Sequence, residues 1–417
     1  MSQEAEVLIL GGGVIGTACA YYLSDRGVAV TVLDKGAIGH GCSYGNAGWI
    51  VPCHAMPLPL PGALRQALRW VLRPDSPLYI KPRWSWEMAR WLIRFLSCAN
   101  ERHLRYAAPP LVGLAQESLR LTEQFIAKHG PGDMGFHKRG LICACQSRTG
   151  LDAARHEMSV AQSLGITGRE LGVDALRELE PAVAGQVVGG IYYPNEAHVE
   201  PLKFVEALAR QAAQRGARFL PQTEVYRFEC SDRRIEAVHT TRGRFVGNQI
   251  LLATGSWTPL LARQLRLRVP IQAGKGYALI VEPFPPVPRI PMLLLEKRLA
   301  VTPREGSVRL AGTMELAGLN ETITPRRVEA IVRGAREFLK LPENFEIRET
   351  WRGLRPCTPD GIPMVGRVES WDNLLLAAGH AMLGLTLSMG TGQLLADLCT
   401  ARKPAVDPTP FRPSRFR

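Results

Sequence analysis

Apolar positions follow two periods along this chain, and the alternation between them predicts its elements. Residues 6–10 (EVLIL) form a short apolar run that meets the glycines of GGGVIG at 11–16. Residues 17–26 (TACAYYLSDR) put small residues on one helical face, suited to close packing on a sheet. Gly27 follows as a cap, and VAVTVLD at 28–34 is β-branched and apolar, the mark of a buried parallel strand. Strands are predicted at 134–146, 186–193, 217–230 and 233–241, leading to ILLATGSWTP at 250–259, and strands dominate from 269 to 316. Helices are predicted at 201–215, with Pro201 in the first turn and Gly216 closing it, at 325–340 and at 388–401. From 56 to 130 the pattern is helical, broken by Pro57, Pro59, Pro61, Pro74, Pro77 and Pro82.

The first 35 residues therefore read as strand, glycine turn, helix, strand. Gly11, Gly13 and Gly16 make G-x-G-x-x-G in that turn. The first glycine allows the tight turn, the second lets backbone approach a pyrophosphate, and the third permits close helix–strand packing. The helix N-terminus offers free N–H groups to phosphate. Asp34 closes the second strand, where its carboxylate suits a neutral ribose and repels a 2′-phosphate. A dinucleotide is expected here, and the motif alone serves NAD and FAD equally.

The chain has 417 residues, beyond the roughly 250–300 at which a single core stops growing, so two closely joined domains are expected. Its formal net charge of +13 admits nucleic acid, a membrane surface or an anionic substrate. Zinc-finger and RNA-binding signatures are missing, which disfavours nucleic acid. The nine cysteines are odd in number and follow no paired framework. Cys143 and Cys145 stand too close for C-x-x-C chemistry and read as strand packing, so a reducing cytoplasm and no metal site are expected. VLIL at 7–10 is too short for a signal-peptide core, and no apolar window reaches the about 18 residues of a membrane span.

Glycine-rich segments lie at both ends, which implies one cofactor site assembled from distant parts. LLATG at 251–255 fits the strand that returns under the adenine in FAD enzymes. GCSYGNAG at 41–48 resembles the flavin-cradling loop of the D-amino-acid oxidase-like superfamily. WRGLRPCTPDGIPMVG at 351–366 and AAGHAMLGLTLSMGTG at 377–392 resemble its C-terminal flavin and substrate segments. Within it, GCSYGNAGWI, DSPLYIKP at 75–82 and TPDGIPMVG look most like bacterial D-amino-acid dehydrogenases, including those acting on D-proline or 4-hydroxy-D-proline.

The resemblance implies FAD contacts at Gly11, Gly13, Val14, Ile15, Gly16, Asp34 and Lys35. It adds Cys42, Ser43, Asn46, Ala47 and Gly48 from the loop, then Val225, Ala253 and Gly255. Near the C-terminus it implies Gly379, Leu383, Gly384, Thr386 and Leu387. Arg355, in GLRP, stands where the superfamily sets a guanidinium against the substrate carboxylate; a planar fork gives charge and two parallel bonds at once. Arg352 competes for that role, Tyr277 could lend a hydroxyl or cover the site, and His54 and His380 are candidates for lining the pocket. Sarcosine-oxidase-like relatives bind flavin through a cysteine a few residues before TPD. Here Cys357 immediately precedes Thr358, and the register implies noncovalent FAD. Those relatives also carry an oxygen-activating lysine where this chain has Thr386, which favours a dehydrogenase.

The expected fold is α/β. A Rossmann-like FAD-binding domain comes from 1–55, 196–262 and 346–417, and a substrate domain on a mostly antiparallel sheet from 56–195 and 263–345. The expected reaction is dehydrogenation of a small D-amino or D-imino acid, with electrons passed to a respiratory acceptor such as membrane quinone. Its rivals are an oxygen-using oxidase of the glycine or sarcosine type and a non-catalytic flavin subunit for electron transfer. Trp70, Trp84, Trp86 and Trp91 are interleaved with Arg65, Arg69, Arg73, Lys81, Arg83, Arg90 and Arg94. That pattern fits a peripheral contact at the inner face of the cell membrane, and equally a core or partner-subunit face.

Overall fold

The computed structural model describes residues 3–62, 78–81 and 85–416. Trp70, Trp84, Arg65, Arg69, Arg73 and Arg83 lie outside that range, as do Pro74, Pro77 and Pro82.

Two sheets organise the chain. In the first, Gln3–Leu10 runs parallel between Val30–Leu33 and Gly243–Leu252. Arg218–Leu220 extends the parallel set beside Val30–Leu33, and Leu374–Ala378 extends it beside Gly243–Leu252. An antiparallel meander, Val225–Ser231 and Arg234–Thr240, leads into Gly243–Leu252. The central strands are buried on both faces because helices cover one side: Val14–Ser24, Pro201–Ala213 and Gly384–Cys399. Gly384–Cys399 starts four residues earlier than the pattern predicts. Its glycines are helical, Gly392 lying against Ala18 and Gly390 against Leu114 of the long helix Glu101–His129.

The second sheet has the strand order Ile347–Cys357, Gln272–Val281, Ser307–Leu316, Leu299–Arg304, Met292–Leu294, Leu141–Cys145, Gly189–Tyr193, Arg169–Leu171. Its pairs are antiparallel except Met292–Leu294 with Leu141–Cys145, and the short Leu78–Ile80 beside Ser307–Leu316. The expected strand at 134–146 is confined to Leu141–Cys145. Ile347–Cys357 falls in the sequence segment grouped with the first layer, yet it joins the second sheet. Its charged run RETWRGLR hid a strand that is paired along its length with Gln272–Val281.

Candidate active site

The turn after Gln3–Leu10 is built for close approach. Gly11 takes φ +108°, and a Cβ there would run into the Ala253 carbonyl of the neighbouring strand end. Asp34 accepts hydrogen bonds from the Gly12 N–H at 2.7 Å and the Gly36 N–H at 2.8 Å, which holds the turn against the second strand. Ser43 Oγ accepts from the Val14 N–H at 2.9 Å, so the 41–48 loop is tied to the start of the first helix.

That loop is held through four consecutive carbonyls. Arg309 donates to Asn46 O at 2.6 Å and Thr302 Oγ1 to Ala47 O at 2.8 Å. The Val199 N–H donates to Gly48 O at 2.8 Å, and Thr386 Oγ1 to Trp49 O at 3.0 Å. Thr302 and Arg309 face each other across paired strands of the second sheet. Asn46 Oδ1 also takes the Gly48 N–H at 2.9 Å. A chain segment whose successive carbonyls are all occupied has little freedom to turn its peptides.

The face of the second sheet that carries Arg309 and Thr302 also carries Trp351, Gly353 and Arg355, opposite Ala278, Gly276 and Gly274. The Trp351 ring lies against Gly45 and Gly353, and the Arg355 guanidinium covers Gly276. Arg355 Nη1 donates to Thr313 O at 2.7 Å. Among the described residues its electrostatic neighbours are the Cys42 and Cys357 thiols and no carboxylate, and burial pulls its pKa below the usual arginine value. The same burial pushes Cys42 up to about 11 and Cys357 up to about 12, so both thiols stay neutral beside the cation.

Tyr277 and Arg352 emerge from the opposite face. Tyr277 is buried and its hydroxyl donates to Glu315 at 3.1 Å, in a network with Lys275, so it is not brought to Arg355. Arg352 binds the Glu321 side chain at 3.1 Å and its carbonyl at 2.7 Å, and both residues sit on the rim of a cavity.

That cavity, of about 570 Å³, runs from the glycine turn to the strand Ile347–Cys357. Of the residues expected at the cofactor, it is lined by Gly11, Gly13, Val14, Ile15, Asp34, Lys35, Cys42, Ser43, Asn46, Val225, Ala253, Gly255 and Gly384. Gly16 packs beneath the turn against Gly11 O, while Gly379 closes on Thr358. Ala47, Gly48 and Thr386 act through the backbone bonds just described, and Leu383 and Leu387, at the start of the helix Gly384–Cys399, are not among the lining residues. Arg355 lies between the lining residues Leu354 and Pro356. His380 lines the cavity, bonds Thr391 Oγ1 at 3.1 Å, and is held down to about 3 by burial, so it is neutral. His54 is elsewhere, beside Tyr193. Sequence reasoning missed Trp257, over whose ring Lys35 Nζ sits at 3.8 Å, and the anchors Thr302 and Arg309. Trp257 directly follows the LLATGS segment and was within reach; an arginine and a threonine in ordinary strands carried no signal.

The model of the family "FAD dependent oxidoreductase" (DAO) matches residues 6–398. This chain belongs to that family. Its cofactor is FAD, and the glycine turn, Asp34 and the elongated cavity fit that group. Among relatives, a protein named D-amino acid dehydrogenase from Chromohalobacter salexigens is 33% identical over 99% of both chains. Another of that name, from Methylobacterium nodulans, is 34% identical over 96% of both. Among solved structures, glycine oxidase from Geobacillus kaustophilus superposes with a TM-score of 0.81 at 25% identity, covering 99% of both chains. L-proline dehydrogenase from P. horikoshii also reaches 0.81, at 19% identity, over 100% of this chain and 98% of its own, which shows the shared DAO fold.

Proposed function

We propose that this DAO-family enzyme dehydrogenates a small D-amino or D-imino acid, D-proline and 4-hydroxy-D-proline included, and passes the electrons to a respiratory acceptor. One observation carries the reading: Arg355 is a half-buried cation beside the cofactor cavity, bonded to the Thr313 carbonyl and, among the described residues, next to thiols and no carboxylate. An unpaired buried charge is costly, and a substrate carboxylate would relieve that cost while being oriented by the planar fork. The relatives named D-amino acid dehydrogenase support the substrate class.

Bound FAD supplies the two-electron acceptor for the hydrogen at the α-carbon. The chain's own part is to position: Arg355 grips the carboxylate, the glycine floor lets it lie flat, and Trp351 limits water at that end. His380 is neutral, held by Thr391 and too weakly basic to take the ammonium proton, so the substrate gives that proton to solvent before it reacts, and loss of hydride from the neutral amine leaves the iminium acid. The imino acid then leaves, to be hydrolysed in water unless it is cyclic. Segments 1–55, 196–262 and 346–417 form the cofactor-binding part in this reading, with Ile347–Cys357 reaching it from the second sheet. The FAD is held without a covalent bond, Cys357 being buried and protonated.

The helix Trp86–Cys98 supports a peripheral membrane contact. It buries Met88 and Trp91 and turns Trp86 (80% exposed) and Ile93 (68% exposed) outward beside Arg90 and Arg94. Among the described residues no helix is long and apolar enough to cross a membrane.

The test is anaerobic mixing of the yellow holoenzyme with D- and L-amino acids, glycine, sarcosine and both prolines, following the flavin band near about 450 nm. Bleaching by a D-compound is expected, with slow recovery in air and no peroxide. Fast recovery with peroxide would make the enzyme an oxidase of the glycine oxidase type. Failure of every amino acid to bleach it would overturn the assignment.

A further inference from the structure

The mechanism above does not use Arg309, although it is among the most deeply buried cations of the described residues, 3% exposed on the strand Ser307–Leu316. Its Nη1 donates to Asn46 O at 2.6 Å and its Nη2 to Glu200 Oε1 at 3.1 Å. Arg304 holds the other oxygen of Glu200, and Glu349, engaged by the Tyr44 hydroxyl at 3.0 Å, adds a second acid nearby. Its Nε is buried with no partner among the described residues. The guanidinium is thus held on one side by the Glu200 carboxylate and presents its other terminal nitrogen to the Asn46 carbonyl.

In a planar trans peptide the carbonyl and the following N–H point in opposite directions. With Asn46 O fixed on Arg309, the Ala47 N–H is directed away from the second sheet. The cofactor loop thus shows this amide on the side opposite its cationic support. A cation bound to the carbonyl end also polarises the peptide and strengthens its N–H as a donor.

We propose that Arg309 is a positioning residue for the cofactor: through the Asn46–Ala47 peptide it orients and strengthens a backbone donor of the flavin loop, and so favours the reduced over the oxidised flavin. Reduction places two more electrons on the flavin ring, so a stronger donor stabilises that state more. The inference rests on the FAD assignment and not on the substrate, because neither readout below involves an amino acid.

Holoenzyme carrying Arg309→Gln is compared with the parent for FAD release on dilution and for the midpoint potential in dye-coupled reduction. Losing one charge-assisted bond is expected to weaken FAD binding about tenfold. A tenfold bias against the reduced cofactor would lower the two-electron midpoint by about 30 mV. Arg309→Lys keeps the charge but not the fork, and is expected to release FAD faster at nearly the parent potential. A folded Arg309→Gln holoenzyme with parental release and parental potential overturns the proposal. So does weaker FAD binding with an unmoved potential, which would reduce Arg309 to packing. Where Arg309→Gln fails to fold, Arg309→Lys is set beside Thr302→Val, which removes a neutral anchor from Ala47 O. Thr302→Val is expected to release FAD faster at the parent potential, and a parental release rate for Arg309→Lys would overturn the proposal.

Discussion

Gly276 and Arg355 share one patch of space: the guanidinium lies where any side chain on Gly276 would have to go. The two residues stand on paired strands, so a methyl group on one displaces the functional end of the other. Because the displaced group is the tip of a flexible side chain, Gly276→Ala is expected to fold and to retain FAD. Its KM for the amino acid should rise about tenfold or more, the scale of one lost charge-assisted hydrogen bond. Steady-state kinetics with a dye acceptor would decide it, and an unchanged KM would mean that Arg355 does not touch the substrate.

Arg355→Lys keeps the charge and loses the planar fork. A fall in kcat/KM of about ten- to a hundredfold is expected, with the flavin spectrum and FAD content unaltered. Loss of FAD along with activity would instead assign Arg355 to the cofactor.

Gly11→Ala puts a side chain on a residue at φ +108° and against the Ala253 carbonyl. A destabilisation of about 1–3 kcal/mol is expected from the strained backbone, together with loss of FAD. Thermal unfolding with and without added FAD measures both, and the usual FAD-induced rise in Tm should shrink.

Stability should fall on both sides of a broad maximum. Glu196 is buried and pushed up to about 8, so the folded state keeps a proton that the unfolded carboxyl has lost above about 4.5. Stability therefore declines as pH rises through that window and levels off beyond about 8. His198 and His380 are held down to about 3, so below about 6.5 the unfolded chain takes protons that the folded one refuses, and stability declines with acid. Glu196→Gln should flatten the alkaline slope of Tm against pH and leave the acid slope in place.

The exposed pair Trp86 and Ile93 gives the membrane reading its own test. Trp86→Ser with Ile93→Ser should lower partitioning onto anionic phospholipid vesicles about tenfold or more at unchanged activity in solution. Equal sedimentation of variant and parent with vesicles would remove the membrane from the picture.

The legible parts of this chain were those whose backbone chemistry leaves a residue signature. Gly11 and Gly13 with Asp34 announced a dinucleotide turn because few side chains tolerate that backbone or reach that ribose. The 41–48 loop was legible by its glycines and Asn46. The strand Ile347–Cys357 was not, since its charged residues find partners in Gly306 O, Tyr44, Glu321 and Thr313 O and so defeat a hydrophobic pattern. Arg309 and Thr302 stayed hidden for a related reason: what they do depends on a carbonyl more than 250 positions away, and a backbone carbonyl has no sequence identity. Tyr277 sits apart from Arg355 for another reason: a one-residue step along a strand reverses the face.

The first sheet interleaves segments far apart in the chain, and this constrains how they come off the ribosome. Gln3–Leu10 is made more than 230 residues before its inner neighbour Gly243–Leu252, and more than 370 before the helix that begins at Gly384. Until then the glycine turn is held only by Val30–Leu33 and Asp34, and the other edge of its apolar strand is open. The nascent strand thus needs shielding until those segments emerge, and FAD can be captured only once Gly384–Cys399 has been made. Truncation before the last helix should yield aggregate, not a smaller flavoprotein.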